Sequence, residues 1–95
     1  MTGLKFEWDP AKAKRNSRKH NVTFEEAGTV FGDPLSATIL DPDHSDDEDR
    51  FIIIGRSNRG RLLMVAHTER NDGIRIINAR QLSSIERRQY EESGF

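Results

Sequence analysis

The side chains best suited to acid–base chemistry lie close together in the second half of the 95-residue chain. Six of them flank the dipeptide Asp-Gly at positions 72–73, namely His67, Glu69, Arg70, Arg75, Asn78 and Arg80. An imidazole or a carboxylate can transfer a proton, and a guanidinium group can stabilise negative charge that develops in a transition state. This combination predicts chemistry on a phosphate ester.

RNA suits such a set because its 2′-hydroxyl is a built-in nucleophile. Cleavage then needs a base, a fixed cation and an acid, but no metal and no other cofactor. His67 and Glu69 are candidate bases, and Arg75 and Arg80 are candidate cations. The acid could be His67, and two further candidates lie in predicted helices: His20 and Tyr90. A structural alternative is an ion pair between Glu69 and an arginine across a hairpin, with His67 at the edge of the core.

The Asp-Gly dipeptide predicts a β-hairpin because it separates two runs of strand-forming residues. With a two-residue turn, His67, Glu69 and Arg80 share one face. With a three-residue loop, Glu69 lies opposite Arg75 instead. The sequence leaves both registers open, since a slip of one residue turns every side chain to the other face.

The surrounding pattern predicts one α+β domain over residues 1–95 with the order β-α-α-β-β-β-β-α and a mostly antiparallel sheet. The predicted strands are 4–8, 35–40, 51–56, 61–70 and 74–80. Helices are predicted to begin after Asp9, Thr23 and Ser83, which are good N-caps, and to extend to about residues 20, 31 and 92. Thr23 and Ser83 each precede a glutamate by three positions, the spacing of a capping box.

The first predicted helix is polar all round, with Ala11 and Ala13 as its only apolar residues. Such a helix needs support from outside its own sequence, often from a charged ligand or a partner. Lys12, Asn16 and Lys19 share one of its faces, with two arginines alongside.

The net charge of −1 conceals a basic chain, because the segment Asp41–Asp49 holds six acids and no base. The other residues carry 15 bases and ten acids, a net charge of +5, and 11 of those bases are arginine. Arginine's planar fork suits bidentate contact with phosphate, so this balance favours a nucleic-acid partner. The chain has no cysteine, which excludes disulfides, thiolate nucleophiles and zinc–thiolate sites.

Other function classes lack their signals. The histidines have no zinc-type spacing and there is no phosphate-binding glycine loop. No apolar run approaches the length of a signal peptide or a membrane span, so the cytoplasm is the expected compartment.

Several ordered motifs resemble the BrnT family of toxins from type II toxin–antitoxin systems, over about residues 4–92. The front half carries Phe6-Glu-Trp-Asp9, Asn16-x-x-Lys-His20, Val22-x-Phe-x-Glu-Ala27 and Val30-Phe-x-Asp33. The back half carries Asp41-Pro-Asp-His-Ser-x-Asp-Glu-x-Arg50, Ile54-Gly-Arg-Ser57, His67-Thr-Glu-Arg70, Arg75-Ile-Ile-x-Ala-Arg80 and Glu86-Arg-Arg-x-Tyr90.

This resemblance implies a RelE-like microbial ribonuclease fold, cleavage of RNA without a cofactor, and a BrnA-like antitoxin partner. It also implies indirect binding to operator DNA through that antitoxin, and no membrane association. With the residue chemistry, it gives the expected catalytic set His67, Glu69, Arg70, Arg75 and Arg80. The expected RNA-binding set is Lys14, Lys19, His20, Arg56 and Tyr90. Asn78 departs from the family, in which serine is common at this position. The alternative is a catalytically inactive toxin that acts only as antitoxin partner and co-repressor.

Overall fold

A computed structural model of the chain describes residues 4–41, 43 and 48–93. The described elements are β1 (Lys5–Glu7), α1 (Pro10–His20), α2 (Phe24–Thr29), β2 (Ala37–Leu40), β3 (Arg50–Arg56), β4 (Leu62–Arg70), β5 (Gly73–Gln81) and α3 (Ser84–Ser93). A 3-10 turn over Val30–Gly32 extends α2. Within this part of the chain the structure is α+β, with three α-helices and a five-stranded sheet, which confirms the predicted fold class.

The sheet is mixed, with the strand order β1-β5-β4-β3-β2. Three neighbouring pairs, β2–β3, β3–β4 and β4–β5, are antiparallel, whereas β1 lies parallel to β5. In the meander of β2 to β5, each strand pairs with the next one along the chain. Strand β1 joins the sheet at the edge formed by β5. Consequently β5 has a neighbour on both sides only over Gly73–Arg75, where β1 reaches it.

The main core lies on one face of the sheet, beneath α1 and α2, and is called here the helix face. Ile53, Val65 and Ile76 supply it from the strands, and Val22 and Phe24 supply it from the helical segment. Because successive strand residues alternate between faces, their neighbours form an opposite face, called here the open face. Its members on the three central strands are Arg50, Ile52, Ile54, Arg56, Leu62, Met64, Ala66, Thr68, Arg70, Arg75, Asn78 and Arg80.

Helix α1 is held to the sheet by a polar contact rather than by an apolar stripe. Asn16 is its only buried residue. Asn16 Nδ2 donates to the backbone oxygens of Ala79, at 2.9 Å, and of Val22, at 3.0 Å. The Ala79 N–H donates back to Asn16 Oδ1 at 3.0 Å. The amide thus takes the place of a neighbouring strand along the part of β5 that β1 does not reach.

Helix α2 has only half of the predicted capping box. Thr23 Oγ1 accepts the Glu26 N–H at 3.0 Å, as a cap should. The Glu26 carboxylate, however, is buried and accepts from Ser57 Oγ at 2.7 Å and from Arg61 Nε at 2.9 Å. The Arg61 guanidinium is the main reason that the pKa of Glu26 is lowered. Glu26 therefore ties α2 to the turn between β3 and β4.

The β4–β5 hairpin has neither of the two predicted registers, and both predictions are wrong. Arg70 pairs with Gly73, so the turn consists of Asn71 and Asp72. Asn71 adopts a left-handed φ of 54°, which asparagine tolerates better than most residues. Gly73 lies inside β5, where a Cβ would come within 3.0 Å of the Lys5 backbone oxygen. The glycine is thus required by the close approach of β1 rather than by the turn.

A β-bulge in β5 changes which side chains share a face. His67 pairs with Ile76 and Ala66 pairs with Asn78, so Ile77 has no partner of its own on β4. An extra residue of this kind shifts the alternation of the strand by one position. As a result Arg75 and Arg80, which a regular strand would place on opposite faces, both lie on the open face.

None of the described helices combines the length and the apolar character that crossing a membrane requires. Positions 42 and 44–47, which make up much of the acidic segment and include His44, lie outside the described residues.

Candidate functional site

The predicted catalytic set is divided between the two faces of the sheet. Arg70, Arg75 and Arg80 lie on the open face. His67 and Glu69 pair with Ile76 and Ile74, which belong to the core, so both side chains start from the helix face. The expected meeting of a carboxylate, an imidazole and a guanidinium on one surface is not found in the hairpin, because the register differs from both predicted ones and β5 contains a bulge that was not predicted.

His67 is a core residue in this fold. Its side chain is 2% exposed and contacts Phe31 edge-on, with ring centroids 4.8 Å apart, and Phe51 in a stacked arrangement at 5.9 Å. Its Nδ1 lies 3.2 Å from the Val65 backbone oxygen. Burial, which disfavours the charged imidazolium, lowers the pKa of His67 below its usual value. The imidazole therefore lies away from any molecule bound at the surface.

The arginines of the hairpin take their ion-pair partners from other parts of the chain. Arg70 Nε lies 3.3 Å from Glu48 Oε2, and Arg75 Nη1 lies 2.9 Å from Glu7 Oε2. Glu69 is exposed and forms no ion pair with a described residue. The alternative prediction of an ion pair between Glu69 and an arginine across the hairpin is therefore wrong.

A basic groove of about 470 Å³ runs between α1 and β5. Its lining residues are Lys12, Arg15, Asn16, Lys19, His20, Ile77, Asn78 and Arg80. The α1 members recur at intervals of three and four positions, which places them along one side of a helix. The Asn16–Ala79 contact then holds that side against β5. Four permanent cations and a histidine thus face a space with no carboxylate in its lining.

Sequence reasoning identified part of this groove. Lys19, His20 and Arg80 were predicted as site residues, and the structure brings them together. Lys12 and Arg15 were not among them, although their position beside Lys19 on one helix face was the available signal. The sequence did not indicate that this face would meet β5, because the contact joins positions 63 residues apart. Of the other predicted RNA-binding residues, one lies on α1 but outside the groove lining: Lys14.

Arg80 is held in place by the first turn of α3. Its Nη1 and Nη2 donate to the two carboxylate oxygens of Glu86 at 2.8 and 2.9 Å. Glu86 Oε1 also accepts the Ser83 N–H at 2.9 Å, and Ser83 Oγ accepts the Glu86 N–H at 3.2 Å, which completes the predicted capping box. The pair with Arg80 is the main cause that lowers the pKa of Glu86 to about 2, and it raises the pKa of Arg80. The guanidinium beside the groove is therefore both charged and oriented.

Arg56 and Tyr90 lie away from the groove, nearer to β2 and β3 at the opposite edge of the sheet. Arg56 Nη1 donates to the Gly60 backbone oxygen at 3.0 Å, and its Nη2 lies 3.9 Å from Glu91 of α3. Tyr90 donates from its hydroxyl to the Leu35 backbone oxygen at 2.8 Å. Burial is the main cause that raises the pKa of Tyr90. These contacts extend α3 across one end of the sheet, from Arg80 toward β3 and the segment before β2.

The described ranges contain no group of three or more His, Asp or Glu side chains placed to hold a metal ion. The polar chemistry of the groove consists of cationic donors, a histidine and the amides of Asn16 and Asn78. Such a lining fits anionic oxygens such as those of a phosphate group.

Comparison with known proteins agrees with this chemistry. Residues 8–86 match the family described as "Ribonuclease toxin, BrnT, of type II toxin-antitoxin system", a range that includes α1, β5 and Glu86. The chain is also similar to the 1.1 Å crystal structure of the Brucella abortus ribonuclease toxin BrnT. That match has a TM-score of 0.63 and 21% sequence identity, and covers 86% of this chain and 100% of the other. No curated protein matches the chain. The chain belongs to the BrnT family of ribonuclease toxins of type II toxin–antitoxin systems.

Proposed function

We propose that this toxin is an endoribonuclease that cuts single-stranded RNA in the groove between α1 and β5 without a metal ion. One observation carries the proposal: Lys12, Arg15, Lys19 and Arg80 line this groove beside His20, with no carboxylate among the lining residues. Four cations around one space create a positive potential that attracts the RNA backbone. The family membership supplies the independent support for RNA as the target.

Arg80 is proposed to stabilise the crowded phosphate in the transition state. Its bidentate contact with Glu86 fixes the guanidinium plane before RNA binds. A group that is already oriented does not have to reorganise while charge develops, which is the condition under which electrostatic stabilisation is most effective. Arginine carries five N–H donors, so the two that Glu86 accepts leave donors for a phosphate oxygen. Glu86 is accordingly a positioning residue and not a catalytic one.

His20 is proposed as the proton-transferring group, since histidine is the side chain that most often transfers protons in enzymes and His20 lies in the groove lining. It accepts the proton of the 2′-hydroxyl while the 2′ oxygen bonds to phosphorus. The bond from phosphorus to the 5′ oxygen then breaks, and that oxygen takes a proton from water. The products are a 2′,3′-cyclic phosphate and a new 5′-hydroxyl. Two predicted residues, His67 and Glu69, have no part in this scheme because they lie on the helix face.

The toxin role follows from the family, and that role implies an antitoxin partner and RNA targets. We further propose that a BrnA-like antitoxin neutralises the toxin and carries the complex to operator DNA. The layering supports the RelE-like arrangement implied by the sequence, with α1 and α2 on one face of the sheet and arginines on the other, where α3 contacts Arg80 and Arg56.

Purified toxin incubated with a labelled single-stranded RNA and with DNA of the same sequence tests the proposal. The wild type should cut only the RNA, with or without EDTA. Arg80→Ala and Lys19→Ala should be slower by about 10²–10³-fold, the usual cost of losing one charge-stabilising donor. The matched control is Arg88→Ala, which removes an exposed arginine on α3 outside the groove.

Cleavage that is unchanged in Arg80→Ala and Lys19→Ala would show that the groove is not the active site. A wild type that cuts no RNA at all, yet binds its antitoxin, would support the alternative of an inactive toxin retained as co-repressor. That alternative has one observation in its favour, because a carboxylate engages each arginine of the hairpin: Glu48 for Arg70, Glu7 for Arg75 and Glu86 for Arg80.

A further inference from the structure

Four neighbouring strands each contribute one residue to a row on the open face, and this row lies outside the groove. In register across the sheet it consists of Glu7 on β1, Arg75 on β5, Thr68 on β4 and Arg50 on β3. Arg75 Nη1 donates to Glu7 Oε2 at 2.9 Å. Two arginines, one on each neighbouring strand, thus flank a single threonine.

The Thr68 hydroxyl is buried without a hydrogen-bond partner in the described part of the chain. Thr68 is only 4% exposed, and its Oγ1 makes no hydrogen bond to any described residue. Burying a hydroxyl without a partner destabilises a protein. Valine has the same branching at Cβ and an equal preference for strands, without this penalty. A threonine at this position therefore indicates a partner that the free protein does not contain.

The flanking arginines indicate what kind of partner this is. Neighbouring strands lie about 4.8 Å apart, so the backbones of β3 and β5 are separated by roughly 10 Å at this row. This span matches the reach of two guanidinium groups that hold one tetrahedral anion between them, once the group that covers Thr68 has moved. Arginine's fork geometry suits phosphate, and a hydroxyl between the two forks adds a third donor.

We propose that Thr68, Arg50 and Arg75 form a phosphate-binding subsite for the RNA strand that is cut in the groove, an inference that rests on the proposed function. Met64 pairs with Arg80, and it precedes Thr68 by four residues on β4. At the rise of a β-strand this separation is about 13 Å, so the subsite takes a different phosphate from the one at Arg80. Because Thr68 Oγ1 is shielded from solvent and Arg75 is paired with Glu7 in the free protein, the phosphate has to displace the group that covers Thr68 and compete with Glu7.

The test compares Thr68→Val with Thr68→Ser, which keeps the hydroxyl. Two probes are used on the full chain. The first is inorganic phosphate, whose binding is followed by the NMR shifts of the residue 68 and Arg75 amides. The second is a 12-nucleotide RNA whose 2′-hydroxyls are all methylated so that it cannot be cut, and its affinity is measured by fluorescence anisotropy. Thr68→Val should weaken RNA binding roughly tenfold, the effect of one hydrogen bond to a charged group, and should abolish the phosphate-induced shifts. Its melting temperature should equal or exceed that of the wild type.

Thr68→Ser should bind both probes as the wild type does. Wild-type affinity for both probes in Thr68→Val would overturn the subsite. Equal weakening in both variants, with lowered melting temperatures, would also overturn it, because the residue would then matter only for packing. If inorganic phosphate shifts the amides but the RNA does not bind, the subsite is supported as an anion site while the proposed function fails.

Discussion

Asn16 on α1 holds Ala79 on β5 through two reciprocal hydrogen bonds between its side-chain amide and the Ala79 backbone, at 2.9 and 3.0 Å. An amide side chain offers both a donor and an acceptor, so it can satisfy the edge of a strand as another strand would. This contact explains how a helix with no apolar stripe is fixed to the sheet. It also brings the basic side of α1 to Arg80 and so forms the groove.

Replacing Asn16 by alanine should therefore damage both the fold and the groove. The change leaves the Ala79 N–H and C=O buried without partners, which costs about 1–3 kcal/mol. Thermal unfolding should show a lower melting temperature, by roughly 4–8 °C for each kcal/mol in a domain of this size. Lys12→Ala on the same helix is the control, and it should weaken RNA binding without changing the melting temperature. An Asn16→Ala variant as stable as the wild type would contradict this account of α1.

Replacing His67 should change the stability of the toxin but not its catalysis, because the imidazole is buried in the core. Burial lowers its folded-state pKa below the usual 6.5, so the unfolded chain binds the proton more readily. The stability that the neutral ring provides is present above pH 6.5 and is lost as the pH falls below it. His67→Phe keeps an aromatic ring against Phe31 and Phe51, and it should remove this part of the acid sensitivity.

Melting temperatures of His67→Phe and the wild type between pH 8 and pH 5 measure this effect, and RNA cleavage at pH 8 measures the catalytic role. The nearby Glu69 carboxylate, which favours the charged ring, is present in both proteins. Cleavage reduced by a hundredfold in His67→Phe at wild-type stability would show that His67 acts in catalysis after all.

The Arg80–Glu86 pair should be sensitive to acid. Glu86 has its pKa lowered from 4.5 to about 2 by Arg80 and the Ser83 N–H. Its contribution to stability is complete above pH 4.5 and is lost as the pH falls toward 2. The melting temperatures of wild type and Glu86→Gln should therefore differ at neutral pH and converge over this range. Glu91→Gln, which removes the more distant partner of Arg56, should follow the wild type throughout, and a constant gap for Glu86→Gln would refute the assignment.

His20 should carry the proton transfer of cleavage. A general base contributes typically 10²–10⁴-fold, so His20→Gln should reduce the single-turnover rate by about that factor. Arg18→Gln, on an exposed part of the same helix, should keep the wild-type rate. A His20→Gln enzyme that cuts RNA at the wild-type rate would transfer the role to another group.

The elements could be predicted from the sequence because their signals are local. Asp9 before Pro10, Thr23 before Glu26 and the period-two runs of the strands each act within a few residues. The structure has strands and helices at all of these places. The capping box at Ser83 is also present in full.

The candidate site could be predicted only in part, because its geometry depends on contacts between distant segments. Gly73 serves the pairing with Lys5 rather than the turn, and the bulge at Ile77 then places Arg75 and Arg80 on one face. Neither feature has a signal within the hairpin itself. For the same reason the sequence could indicate Lys19, His20 and Arg80 individually but not the groove that unites them.

The mass of the new 3′ end distinguishes attack by the 2′-hydroxyl from metal-dependent hydrolysis. Wild-type toxin is incubated with a defined single-stranded RNA in excess EDTA, and the fragments are analysed by mass spectrometry. We expect cleavage in EDTA that leaves a 2′,3′-cyclic phosphate, the product of attack by the 2′-hydroxyl. Cleavage that stops in EDTA, or fragments that end in a 3′-hydroxyl, would rule out the metal-independent mechanism proposed for the groove.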